Sequence, residues 1–344
     1  MAFQDVATPR FYVNYLEWIL NNYKVGTPKL GDDENSDLIK YASLSNRSAL
    51  KASEGNISIE YPIEDESLTT SNPIFEKIKF AYLLGNKSDN PLSCSISINE
   101  SQLTFTSLLD EHTDVDNGSF SSPYNGWEII GATGGLPDDE VITSIKFTFS
   151  GSDSFELSNI GFGGYFDMMH SPELDLTYSK SYDGVQKQKS MGGATLVNYN
   201  YLKPPAFGNV GYFELSNAEN PLNVPTRTGR RNYQLNFKYL ENSTTKDSLF
   251  PQSENLYTID NGLTQNDALY DDNSFYGNVI HMTQGGTIPF IFQADNSNFS
   301  GDMFSVCTFD QKDFNFKQVA PSVYDCSLKI GNPNSAALKT ILSK

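Results

Sequence analysis

The chain is 344 residues long and carries 42 acidic against 24 basic side chains, a formal net charge of −18 at pH 7. Its 38% hydrophobic and 13% aromatic content argues against disorder, and its length accommodates two domains of roughly 150 residues each. Charge of this sign repels phosphate, against groove-reading of nucleic acid or binding to an anionic membrane. The scattered Cys94, Cys307 and Cys326 argue against a disulfide framework or zinc cluster.

The opening MAFQDVATPR has an acid at Asp5 and no apolar run, so no secretory leader is expected. Apolar runs such as IPFIF at 288–292 fall far short of the ~20 residues that span a bilayer. Tyr12, Tyr15, Leu16, Ile19 and Leu20 recur at helical spacing, with Thr8 as N-cap and Pro9 at the first helical position. A short helix packed on the core is therefore expected within residues 1–25, with Trp18 off its main stripe and placed to dock on the next domain. A partner-binding helix is the alternative.

Residues 26–55 read as a polar connection containing the acidic run Asp32, Asp33, Glu34 and Asp37. From Asn56 the pattern has period two. Ile57 and Ile59 alternate, as do Ile78 and Phe80, Ile96 and Ile98, and Leu103 and Phe105. Ile145, Phe147 and Phe149 follow, then Phe155 and Leu157. Alternation puts apolar residues on one strand face and polar residues on the other. With turn strings such as NKSDNP and TGGLPDD between the strands, an antiparallel jelly-roll sandwich is expected over residues 26–165.

Residues 166–344 form a second β block. It opens with LDLTYSKSYDG and GGATLVNYNYLKPPAFG, then RNYQLNFKYL, where Tyr233, Leu235 and Phe237 alternate. TIPFIFQ, FSVCTFD, FNFKQV and VYDCSLKI read as closing strands. Between them, at about 241–280, a polar aperiodic stretch with Asp260, Asp267, Asp271 and Asp272 reads as an inserted helix and loop segment.

No motif carries catalytic chemistry. His112, His170 and His281 lie in separate segments without metal-ligand spacing, and no G-x-S-x-G elbow is present. Neighbouring acids such as Asp139 and Glu140, or Glu173 and Asp175, do not set the roughly 5–10 Å gap across a glycosidase cleft. Asp114-Val115-Asp116-Asn117-Gly118 opens like a calcium loop but lacks its closing Glu, so an Asx turn is expected. GFGG at 161–164 and GNPNSAALKT at 331–340 also read as turns rather than nucleotide loops. No catalytic residue, cofactor or metal is expected, and the chain reads as a non-enzyme.

Two surface candidates remain. Arg227, Arg230 and Arg231 make a basic cluster in an acidic chain, and arginine forks suit carboxylates of a neighbouring subunit or of the chain itself. Tyr124 and Trp127 in SSPYNGWEII suit either a sugar-stacking platform or the sandwich core.

The string FDMMHSPELDLTYSKSYDGVQKQKSMGGATLVNYNYLKPPAFG, with TGRRNYQLNFKYL and the closing strands from TIPFIFQ to VYDCSLKI, resembles the β-domain of tail-tip proteins of long-tailed, especially marine, bacteriophages. The resemblance covers roughly residues 165–344 and is to the distal tail, or baseplate hub, type. It implies a tail-tube-like β-barrel domain that assembles into a ring, commonly a hexamer, joining the tail tube to hub, fibre or receptor-binding proteins. The sandwich resembles the galectin-like or discoidin-like jelly rolls carried outside such rings, although here it precedes the ring domain instead of following it. The resemblance implies a structural virion protein, assembled in the host cytoplasm, with neither sequence-specific nucleic-acid binding nor membrane insertion. On this reading at least one of Arg227, Arg230 and Arg231 lies at a subunit contact. The alternative function is a carbohydrate-binding adhesin or tail-fibre module that recognises host surface glycans through Tyr124 and Trp127. A secreted glycoside hydrolase is a third reading.

Overall fold

The computed structural model describes residues 6–46, 48–52, 56–88, 92–108, 114–116, 119–122, 126–133, 136–137, 139–151, 154–181, 185–199, 230–241, 249, 274–299 and 303–333. The fold is mainly β, and its sheets are antiparallel. Among the described residues thirteen strands form the main sheet. Its path runs Thr177–Ser181, Arg230–Glu241, Val323–Gly331, Phe304–Phe309, Phe290–Gln293, Arg10–Asn14, Asn159–Asp167, Phe80–Ser88, Gly126–Thr133 and Thr104–Thr106. Leu50–Ala52, Phe155–Leu157 and Phe316–Ala320 branch from it.

The strand Arg10–Asn14 corrects the expected helix start. It pairs with Asn159–Asp167 on one edge and with Phe290–Gln293 on the other. Phe11 and Val13 enter the main core, whereas Tyr12 enters a second apolar cluster behind the sheet. A strand buried on both faces carries apolar residues at successive positions, which is why its tyrosine also satisfied a helical count. The helix is Tyr15–Asn22, capped by Asn14, whose Oδ1 accepts from the Glu17 backbone N–H at 3.3 Å. Trp18 is buried in the main core and meets Tyr23 edge-on, with ring centroids 5.9 Å apart.

A second sheet, of eight strands among the described residues, runs Asp114–Asp116, Ser119–Ser122, Leu92–Ile98, Ser144–Ser150, Ile57–Pro62, Lys29–Leu30 and Asp33–Glu34, with Ser101–Gln102 beside Leu92–Ile98. It packs on the main sheet through the residues that alternate. Phe147 stacks on Phe162 with centroids 6.5 Å apart, Phe105 meets Phe120 at 4.9 Å, and Ile59, Ile96, Ile98 and Ile145 fill the same core. The DVDNG string contributes a strand, with Asp114 opposite Ser121 and Asp116 opposite Ser119.

The strand Asn159–Asp167 runs through position 165, and Arg10–Asn14 ties the two sequence blocks into one sheet. No sheet closes into a barrel among the described residues. Of the insertion expected at about 241–280, the described residues are Glu241, Leu249 and those from Ser274 onward, including a π-helical turn at Tyr276–His281.

GFGG is strand rather than turn, and its glycines make room. A Cβ on Gly161 would stand 2.5 Å from the Tyr82 hydroxyl, and one on Gly164 would stand 2.7 Å from the Tyr15 ring. Beside them Arg10 forks onto Asp167 at 2.6 and 2.9 Å, with its guanidinium 4.1 Å from the Tyr165 ring centroid.

Candidate functional site

The sugar-stacking reading of Trp127 is corrected. Its strand, Gly126–Thr133, pairs with Phe80–Ser88. The indole is only 8% exposed and lies 5.4 Å from the Phe304 ring, in the cluster that holds Tyr12, Phe80 and Tyr82. A buried ring has no face to offer a sugar, so Trp127 is a core residue. Tyr124 lies outside the described residues, as do Arg227 and His112.

Arg230 and Arg231 begin the strand Arg230–Glu241 and are both half-buried. They are held by Asn332, which the sequence did not single out. The Arg230 guanidinium donates to the Asn332 carbonyl at 3.0 Å, and the Arg231 backbone N–H donates to Asn332 Oδ1 at 2.6 Å. Asn332 in turn anchors itself to the Val306 carbonyl at 2.7 Å. Arg230 opens onto a groove of about 660 Å³ with Asp310 and Lys312 on its walls. Burial pulls the Arg230 pKa down, and the nearby Asp310 charge acts against that shift.

The remaining titratable candidates have structural surroundings. Burial pushes the Cys307 and Cys326 thiols up to about 12 and the Cys94 thiol higher still, which keeps all three as protonated, apolar fillers. His170 Nδ1 meets the Ser171 carbonyl at 2.8 Å, and burial lowers the pKa of His281. Among the described residues no group of three His, Cys, Asp or Glu side chains could hold a metal ion. Also among these residues, no helix is long and apolar enough to cross a membrane.

Glu17 is the buried acid that sequence reasoning missed. Ser43 Oγ donates to its carboxylate at 2.6 Å, and the Leu44 N–H and the Asn14 side chain also donate to it. Burial outweighs these donors and raises its pKa from 4.5 to about 7. Between those values the folded chain binds more protons than the unfolded chain, so stability falls as pH rises. The contribution is about 3 kcal/mol, complete below the unfolded pKa and lost once pH passes the folded one. Glu17→Gln, which carries no charge, should melt several degrees above wild type at pH 8 and show little advantage at pH 5. An equal difference at both pH values in thermal melts would refute this.

Among the described residues the main sheet ends in Thr177–Ser181, which pairs there only with Arg230–Glu241 and has exposed residues on both faces. Past it stands a separate two-stranded hairpin, Val185–Lys189 with Thr195–Tyr199. Its turn uses Gly193 at φ +83°, a left-handed conformation suited to glycine. Residues 187–197 are exposed except for half-buried Ser190, and Met191, Leu196 and Val197 all face solvent. The signal was present in part, in the strand-like string GGATLVNYNYLKPPAFG, but nothing in it told a solvated arm from a core strand.

No protein-family model, curated protein or solved structure matches this chain.

Proposed function

We propose that this chain is a non-enzymatic structural component of a phage tail tip, whose copies join side by side into a ring between the tail tube and hub or fibre proteins. The observation that carries the reading is the edge Thr177–Ser181, which among the described residues is hydrogen-bonded on one side only and has exposed residues on both faces. An open edge of this kind templates uncontrolled pairing unless another chain covers it, and head-to-tail contacts that close into a ring leave no free end. On this reading the barrel-like wall is completed by neighbouring copies, and the sandwich, of jelly-roll type, hangs outside.

The arginines fit this placement. Arg230 and Arg231 lie directly opposite Ser181 and Lys180 of the edge strand, one strand in from the contact. With each copy at −18, association needs cations at its interface to offset repulsion. The ring would reside in the virion after assembly in the host cytoplasm, its acidic surfaces repelling rather than holding DNA.

Electron imaging and native mass measurement of the purified protein test the reading. A closed ring with a central hole is expected, and a monomer at every concentration and salt would overturn it. Arg230→Glu combined with Arg231→Glu should weaken association at least tenfold in sedimentation experiments, about 1.4 kcal/mol per contact.

A further inference from the structure

We propose that the hairpin Val185–Tyr199 of one copy docks into a groove beside Lys29–Glu34 of the next copy, an inference that rests on the ring reading above. An isolated two-stranded hairpin is marginal in water and gains stability from a covering surface. This one presents apolar Met191, Leu196 and Val197 together with Lys187 and Lys189, and it contains no acid.

The groove has the complementary character. It measures about 660 Å³ and is lined by half-buried Leu30 and Ile57, by Asp32 and Asp33, and by a polar floor that includes Ser58, Thr148 and one lysine, Lys146. Asp32 and Asp33 are exposed, and Lys146 sits directly across from Glu60 on the adjoining strand. The groove runs along the end of the second sheet, where among the described residues Asp33–Glu34 pairs only with Lys29–Leu30. That edge allows an incoming strand to add by backbone hydrogen bonds, while Leu30 and Ile57 meet its apolar side chains and Asp32 and Asp33 meet its lysines. In a chain of net charge −18, a cationic apolar arm finds its natural counterpart on another copy of the same chain.

Geometry favours a neighbour over the chain's own groove. Six strand spacings separate Thr177–Ser181 from Asn159–Asp167 in the main sheet, on the order of 29 Å at about 4.8 Å each. The arm follows the first of these strands in the chain, and the sheet that carries the groove packs on the second through Phe147 and Phe162, a separation that suits a heterologous contact repeated from copy to copy.

Disulfide trapping tests the contact in the full-length protein, since the native cysteines are buried. Met191→Cys combined with Asp32→Cys should give a ladder of covalent oligomers under mild oxidation, and neither single variant should. Lys187→Glu with Lys189→Glu should weaken self-association at least tenfold, and adding Asp32→Lys with Asp33→Lys should restore it. Wild type that forms rings, with no ladder and no response to Lys187→Glu with Lys189→Glu, would overturn the docking while leaving the ring reading intact. Wild type that stays monomeric would overturn both. Binding to phosphatidylglycerol vesicles that depends on Lys187 and Lys189, without a ladder, would overturn the docking in favour of a lipid surface.

Discussion

Gly163→Ala is expected to destabilise the protein by about 3 kcal/mol or more, at the upper end of what overpacking costs. Gly163 lies opposite Asn14 on one side and Phe80 on the other, so its strand is paired along both edges. The added methyl carbon would fall inside contact distance of the Val13 carbonyl oxygen and 3.0 Å from the Tyr15 backbone nitrogen. These are backbone atoms of a strand that is itself paired on both edges and runs straight into the capped helix Tyr15–Asn22. No side-chain rotation can relieve the overlap. The measurement is thermal or denaturant unfolding, and a melting point within 1–2 °C of wild type would contradict the argument, since about 1 kcal/mol already shifts a protein of this size by roughly that amount.

Phe11→Ala is expected to cost about 3–5 kcal/mol, the range for emptying an aromatic site in a close-packed core. Phe11 is fully buried, with Phe275, Phe290 and Phe292 at centroid distances of 5.6, 5.5 and 5.4 Å and Phe309 stacked at 6.2 Å. Its strand holds the two sequence blocks together, so the loss should weaken both. Unfolding followed by near-ultraviolet dichroism and by limited proteolysis of each block should shift together. If proteolysis of the sandwich began no earlier than in wild type, the central role of this strand would be wrong.

Much of the second sheet was legible because its inner face is apolar and its outer face polar. Ile59, Ile96, Ile98, Ile145, Phe147 and Phe149 were expected on one buried face and lie there. The second face of the main sheet was not legible. Phe80–Ser88 buries Ala81 and Leu83 on one side and Phe80, Tyr82 and Leu84 on the other, so alternation disappears into a continuous apolar run. The same doubling hid the strand at Arg10–Asn14 and left Trp127 open to both a surface and a core reading. Glu17 escaped notice because an acid within an amphipathic stretch ordinarily marks the wet side, and only the tertiary position of Ser43 and Leu44 encloses it. At the candidate interface, the sequence singled out Arg230 and Arg231 by charge contrast. It could not reveal Asn332, whose role depends on a contact about a hundred residues along the chain.

The strand Arg10–Asn14 also dictates a schedule. One of its edges is covered by a strand so distant in sequence that Tyr12 and Gln293, which share a 2.8 Å hydrogen bond, are 281 residues apart. At about 5–20 residues per second, a ribosome needs roughly 15–55 s to deliver that partner after the strand emerges. Throughout that interval one edge of an apolar strand made early must wait unpaired, and closure of the sheet is an event of high contact order that comes late in folding. Recombinant yield should therefore depend on temperature and on chaperone supply during synthesis more than on the final stability of the sheet.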